Sequence, residues 1–462
     1  MRTLILPFCA LFLATTAVAR DGDFDETFGF YHGGKSEFTY AGPKYVNSVR
    51  IPVAVQSTGK IIVGGSAGAN LDFGAMRLMP DGSVDTTFGA SSNGGVTVPF
   101  DRSGGGMVDT LWNMVVQPDD SILLVGEVDG DSSTGVDIGV VKLTADGHLD
   151  NVFGGGTGKT VVQFNLGGNL TDVGTSIGVQ SDHKILLGGN VATGAATSQM
   201  AVARLLATGQ RDSSFSLDGR VAIGFGGDSA LAFRVRELAD GAHILVAGTA
   251  SITPGSTKGL FAMARINVSD GSLDNNFGSG GKATYDFAVA TGGGSTAYDF
   301  VELPDGRLML CGNVQVNLPD NYDFACMRFL ANGSPDPAFT PAVFPFDIGD
   351  DFYDIAGGVA RDPQGRFVLA GYAHRATNNS DCAVARLTPD GQLDQSFGNG
   401  GELAINSIYF IGIDADNTCS DLVLQPDGKI VIGGVFDSGS GNQKFEVIRL
   451  MGDTIFADGF DP

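Results

Sequence analysis

The sequence predicts an all-β fold, a seven-bladed β-propeller of four-stranded antiparallel blades, and three observations predict it. First, one phrase recurs along the chain: an Arg or Lys closing an apolar strand, a turn, then Asp-x-x-Phe. It reads Arg77…Asp85–Phe88, Lys142…Asp150–Phe153, Arg204…Asp212–Phe215, Arg265…Asp274–Phe277, Arg328…Asp336–Phe339 and Arg386…Asp394–Phe397. An opening copy stands at Asp25–Phe28 and a degenerate closing one runs from Arg449 to Phe460. Second, the Phe landmarks near 28, 88, 153, 215, 277, 339, 397 and 460 lie 58 to 65 residues apart, so seven units fill the chain. Third, every unit holds four short strand-like pieces, and no stretch carries a helical period or a capping box.

The chain begins with a leader. Arg2, an apolar run from Leu4 to about Leu13 and Ala17-Val18-Ala19 read as a secretory signal peptide over residues 1–19. The run is shorter than the roughly twenty residues that span a bilayer, so no transmembrane segment is expected. Cys9 is preceded by Leu6-Pro7-Phe8, whose bulky ring stands where lipoprotein processing needs a small residue. Residues 20–462 then form one repeat domain, because stacked repeats share a continuous core whatever their total length.

Within a unit, the first piece follows the landmark Phe and a Gly-rich turn, as in Phe38–Tyr40 or Thr284–Phe287. The second alternates, as in Met114–Gln117 or Leu422–Gln425, and leads into a Pro-Asp-Gly type turn such as Pro304-Asp305-Gly306, where Pro and Gly supply the dihedrals of a tight hairpin. The third is the most apolar, for example Ile61–Gly65, Ile122–Gly126 and Ile430–Gly434, and reads as a strand buried on both faces. The fourth ends in Ala-Met-Arg-Leu or Ala-Val-Ala-Arg-Leu, at Ala75–Leu78, Ala201–Leu205 and Ala383–Leu387. A small sheet alone leaves both faces and both edges to water, and a radial ring buries the faces. A parallel β-helix needs a shorter repeat than this one. Ring closure is expected to share strands between the chain's two ends.

The phrase Gln-Pro-Asp-Gly-Lys-Ile-Val-Ile-Gly-Gly (Gln425–Gly434), together with Pro-Asp-Gly-Gln-Leu-Asp-Gln-Ser-Phe-Gly (Pro389–Gly398), resembles the delta-60 repeat of exported bacterial β-propellers. The resemblance covers nearly all of the mature chain. It implies fold and export and transfers no catalytic role to any residue. The last eight residues, Ile455–Pro462, are similar to an acidic-aromatic tail of exported proteins, and Phe460 also fits as the final structural landmark.

Lys and Arg number 28 against 52 Asp and Glu, a net charge of −24. Phosphate binding needs basic surface, so nucleic acid is not expected as a partner. Anionic membranes are disfavoured for the same reason. Four cysteines remain after the leader: Cys311 and Cys326 suit a cross-strand bridge within one unit, Cys382 and Cys419 a bridge between consecutive units, and all four also read as buried thiols.

An active site in a pseudo-symmetric ring should stand where one unit breaks the rule. Tyr372, His374 and Arg375 form such a cluster, with an aromatic face for stacking on a sugar and a guanidinium for a carboxylate. Acidic loops offer calcium ligands at Asp129, Asp131 and Asp137 and at Asp347, Asp350, Asp351 and Asp354, with Asp414, Asp416 and Asp421 as a further group; the same residues also read as solvated turns. The five histidines form no metal spacing. No nucleophile elbow, phosphate loop or dinucleotide fingerprint occurs, and no carboxylates pair along the sequence for glycoside hydrolysis.

The expected protein is therefore secreted or periplasmic and bacterial, needs no cofactor, and acts as a binding or scaffold module for a glycan or an extracellular protein. Two alternatives stay open: a polysaccharide lyase or hydrolase with its site at the axial mouth, and a calcium-binding surface protein.

Overall fold

The structure is a computed structural model, and it describes residues 20–29, 33–38, 50–68, 70–91, 93–102, 108–130, 135–167, 170–289, 292–317, 321–346, 348–349, 353–376, 379–406, 416–437 and 443–452. Among them, seven four-stranded antiparallel sheets form the blades of a propeller. Blade 1 runs outward through Val53–Val55, Ile61–Ala67, Asp72–Leu78 and Gly95–Val98. The inner strands of blades 2 to 6 are Asp109–Val116, Asp172–Val179, Ala230–Glu237, Ser295–Glu302 and Asp354–Arg361, and that of blade 7 is Asp416–Leu424. All seven inner strands line one cavity on the ring's axis. The apolar second strands are the core: Ile122, Leu123, Leu124 and Val125 are wholly buried.

The blades are one strand out of phase with the sequence units. The piece after each landmark Phe completes the blade before it as the outer strand: Lys282–Tyr285, beyond Phe277, pairs with Leu260–Asn267. A period carries no phase, so the repeat alone could not show this. At the seam the same rule closes the ring. Lys35–Phe38 pairs with Gln443–Leu450, and the two ends of the chain build blade 7 together, which leaves no blade short of a strand.

The recurring phrase is a latch between blades. Arg77, Arg204, Arg328 and Arg386 each donate from Nε to the Asp eight residues on, at 2.7 to 2.8 Å. Their guanidiniums lie over the landmark Phe of the same unit, 4.5 Å from the Phe215 centroid for Arg204 and 4.9 Å from Phe88 for Arg77. The remaining nitrogens reach the next unit's turn, as where Arg77 Nη1 donates to Ala145 O at 2.7 Å and Arg328 Nη1 to Pro389 O at 2.9 Å. That turn must carry glycine. A Cβ on Gly147 (φ +81°) would stand 2.7 Å from the Phe88 ring, and one on Gly209 2.8 Å from Phe153.

A second cation from the start of the same blade's second strand often joins the same carboxylate: Lys60 at Asp85, 2.8 Å, and Arg307 at Asp336, 3.1 Å. His243 takes this place in blade 4, 3.4 Å from Asp274, which gives that histidine a structural post.

The seventh latch spans the seam. Arg449 Nε donates to Asp25 at 2.8 Å and lies 4.4 Å from the centroid of Phe28. The sequence reading paired Arg449 with Phe460. The ring instead draws its last Asp and Phe from the N-terminal end, because that end also supplies the last strand; Phe460 and the tail Ile455–Pro462 lie outside the described residues, as do residues 1–19.

Two disulfides add covalent ties. Cys311 and Cys326 face each other across neighbouring strands of blade 5 with Cα atoms 4.2 Å apart. Cys382, in blade 6, is joined to Cys419 on the inner strand of blade 7, with Cα atoms 5.0 Å apart.

Candidate functional site

Six inner strands carry an extra residue at the same level: Trp112, Thr175, Phe233, Tyr298, Gly357 and Ser420. Such bulges re-aim the residue that follows. In three blades its oxygen accepts an amide of the next blade: Val235 N donates to Ser176 Oγ at 3.0 Å, Val359 N to Asp299 Oδ2 at 3.3 Å and Val53 N to Asp421 Oδ2 at 3.4 Å. Blade 4 breaks the pattern with Arg234, which has no acceptor to offer. Phe300 N turns to Asp299 Oδ1 instead, at 2.7 Å.

Arg234 thereby starts an ion layer across the channel. Its Nε and Nη2 donate to the two oxygens of Asp299 at 2.7 and 2.8 Å, and Nη2 stands 3.5 Å from Asp421 of blade 7. Arg236 Nη2 adds to Asp299 at 3.1 Å. Arg50, at the seam, donates to Gly357 O and, at 3.4 Å, to Tyr298 O, and its guanidinium lies 5.9 Å from the Tyr298 ring centroid. Burial works against the charge of Asp299, but Arg234, Arg236 and Arg50 outweigh it and hold the carboxyl below its usual range. For Asp421 burial wins: its pKa is raised although Arg234 and Arg50 pull against it. Burial and the neighbouring Arg234 bring Arg50 down to about 10.

Arg234, Asp299 and Asp421 of this layer border a cavity in the channel. It lies on the side of the tight turns and has a volume of about 750 Å³. Toward the opposite end, where the inner strands begin, aromatic side chains of blades 5 and 6 converge. Tyr322 and Tyr353 stack at 5.2 Å with 11° between their planes; Tyr353 lies 5.4 Å from His374 and Tyr372 6.0 Å from His374. Phe233 packs against Tyr298 at 4.9 Å. Burial pushes the Tyr372 hydroxyl up to about 12, helped by Tyr298, Asp416 and Tyr353, so it remains a proton donor. Burial lowers His374 against the pull of Asp416, so its imidazole is neutral at pH 7.

The structure thus gathers Tyr372 and His374 on one side of the second strand of blade 6. Arg375 is directed elsewhere: its Nη2 donates to Asp381 at 3.2 Å and to Asn379 at 3.4 Å. Among the calcium candidates, Asp131, Asp347, Asp350, Asp351 and Asp414 lie outside the described residues. Asp137 is wholly buried and accepts from Arg102 and, at 2.7 Å, from Gln163 Nε2, while Asp354 accepts Phe346 N at 2.7 Å. Asp129 ends the second strand of blade 2. Among the described residues no group of three or more His, Cys, Asp or Glu is placed to hold a metal.

Asp109 occupies the place of Asp354 in blade 2 and accepts Phe100 N at 2.8 Å. Burial, with Asp72 and Asp101 nearby, pushes its pKa up to about 6. A carboxyl raised in the fold costs stability once the pH climbs from its unfolded value of roughly 4 through its folded one. Asp109→Asn, which keeps the acceptor, is expected to raise the melting temperature at pH 8 and to leave it unchanged at pH 4. Equal shifts at both pH values would contradict this.

Sequence reasoning missed Arg50, Arg234, Arg236, Asp299 and Asp421 as a group. The signal was present. Aligning the units puts Arg234, Asp299 and Asp421 at one register position of an inner strand, where Asn113, Ser176 and Gly358 stand in other units.

A family model described as a β-propeller domain of unknown function, DUF5122, matches residues 56–88, 117–153, 180–215, 242–277, 303–339, 363–397 and 425–453. No curated protein matches the chain. Solved structures resemble it over most of its length: a PL25 ulvan lyase at 13% identity and a TM-score of 0.48, covering 90% of this chain and 96% of that one. A protein of unknown function from Dyadobacter fermentans is similar at 13% identity and a TM-score of 0.44, covering 91% and 100%. A glucose dehydrogenase is similar at 11% identity and a TM-score of 0.40, covering 90% and 98%. At such values the likeness brings no function across.

Proposed function

The chain belongs to the DUF5122 β-propeller family, and from that premise we propose that it is an exported, non-catalytic recognition module of the delta-60 type, whose ligand is a glycan held at the aromatic end of the channel. One observation carries the reading. Tyr298, Tyr322, Tyr372 and His374 come from three different strands and Tyr353 from the residue just before the inner strand of blade 6, and among the described residues they form a cluster of tyrosines that no other pair of blades repeats. Each is only partly buried. Flat rings with hydroxyl tips suit a sugar, which offers an apolar face rimmed by hydroxyls. The two disulfides are compatible with export. No helix among the described residues is long and apolar enough to cross a membrane.

The test is titration calorimetry against a panel of neutral and acidic polysaccharides. At least one should bind, with its chain length unchanged, and Tyr372→Ala should weaken that binding about tenfold, roughly the loss of one ring contact. A panel without binders, or binding indifferent to Tyr372, would remove the proposal.

A lyase is the second reading, favoured by one pairing. A neutral His374 can take a proton beside a Tyr372 that keeps its own, the complementary states that general base and general acid require. Appearance of an unsaturated uronate during incubation, lost in His374→Gln, would favour it over simple binding.

A further inference from the structure

The cavity on the turn side of the ion layer has two unlike walls. Blades 7, 1 and 2 present Val423, Val55 and Val115, each only partly buried. Blades 4, 5 and 6 present Arg236, Glu302 and Arg361. The charges on this second wall are unequally committed. Arg236 binds Asp299 and Phe300 O, yet its side chain stays 39% exposed. Glu302 accepts the Ala239 amide at 2.7 Å. Arg361 lines the same cavity with no hydrogen-bond or ion-pair partner among the described residues.

In the cavity's lining Arg234, Arg236 and Arg361 stand against Asp299, Asp421 and Glu302, three cations to three anions inside a chain whose net charge is −24. The balance holds in number only, because among the described residues Arg361 forms no ion pair. The oxygens of Asp299 are already taken by Arg234, Arg236, Phe300 N and Val359 N, so that carboxylate leaves Arg361 unneutralised.

We propose that this cavity binds a small organic carboxylate, its charged end on Arg361 and Arg236 and its apolar body against the valines of the facing blades. A guanidinium fork matches a carboxylate in geometry as well as charge. A volume of about 750 Å³ lies in the usual range for a small-molecule site. The polarised walls separate this ligand from a bare anion, which gains nothing from valine, and from a neutral sugar, which gains nothing from Arg361. The site stands on the opposite side of the ion layer from the tyrosines, so it does not rest on the glycan reading.

The probe is hexanoate, titrated calorimetrically into the full chain at moderate salt, with hexanamide and inorganic phosphate as controls. Hexanoate should bind saturably, and both controls about tenfold or more weakly, because each lacks one half of the match. Arg361→Gln, a change at a residue without partners, should weaken hexanoate about tenfold, and Val423→Asn should weaken it by a similar factor from the other wall. Tyr372→Ala should leave it unchanged. Hexanoate and hexanamide binding alike, phosphate binding as well as hexanoate, hexanoate affinity untouched in both wall variants, or affinity lost in Tyr372→Ala would each overturn the proposal.

Discussion

Arg204→Ala lowers the unfolding free energy by about 3–5 kcal/mol, the usual cost of stranding one partner of a buried ion pair. Arg204 is 1% exposed, and four groups depend on it: Asp212 at 2.8 Å, Val268 O in the next unit, Ser214 Oγ at 3.2 Å and the Phe215 ring. Removing the guanidinium leaves Asp212 Oδ2 and a turn carbonyl without their hydrogen-bond donor. Blade 2 supplies a natural comparison. There Lys142 meets Asp150 at 3.1 Å, with no contact to the next unit's turn among the described residues. Arg204→Lys should therefore fall between the wild type and the alanine variant.

The loss should also depend on pH, in a direction set by Asp212. Burial opposes its charge, but Ser214, Arg204 and Lys184 hold its pKa below the ordinary value. A depressed carboxylate contributes stability that is present above its unfolded pKa of about 4 and lost as the pH falls through its folded one. Without Arg204 burial is left less opposed, Asp212 titrates higher than in the wild type, and protonation relieves the variant first. Urea unfolding of the two proteins should thus show a gap at pH 7 that narrows toward pH 4. A gap under about 1 kcal/mol at pH 7 would mean that the latch behaves like a surface pair.

Arg234→Ala carries a similar expected loss, about 3–5 kcal/mol, for a different reason. Arg204 ties neighbours at the rim of the ring, whereas Arg234 joins blade 4 to Asp299 of blade 5 and to Asp421 of blade 7 across the channel. Asp299 is 3% exposed and keeps its charge only against burial. The discriminating experiment adds a second change. If the cost arises from a stranded charge, Arg234→Met combined with Asp299→Leu should recover most of the loss, because apolar groups of similar volume often replace a buried pair without penalty. A double variant no more stable than Arg234→Ala would show that the layer is needed for its shape and its amide contacts at Val359 and Phe300.

The repeat was legible because its chemistry is local. Arg204 and Asp212 lie eight residues apart around a single turn, so their pairing and the landmark Phe215 recur with the period, and so does the glycine the Phe packs against. Tyr372 and His374 were legible as a departure from that period. Their companions were not: Tyr298 and Tyr322 stand in other strands and Tyr353 just before one, and only the packing of blade 5 on blade 6 brings their rings together. Arg375 shows the opposite case. Its spacing suggested partnership with His374, but successive residues of a strand face opposite ways, and Asp381 claims it.

What the sequence by itself determined was the module and its count: a strand period, turn chemistry and a latch whose partners are never more than a turn apart. The phase of the blades, the seam in which Arg449 finds Asp25, and the meeting of Arg50, Arg234, Asp299 and Asp421 were decided by the closed ring alone. Closure sets residues from blades 4, 5 and 7 and from the seam face to face across a common axis, and no local pattern in a chain can report which distant positions a circle will bring together.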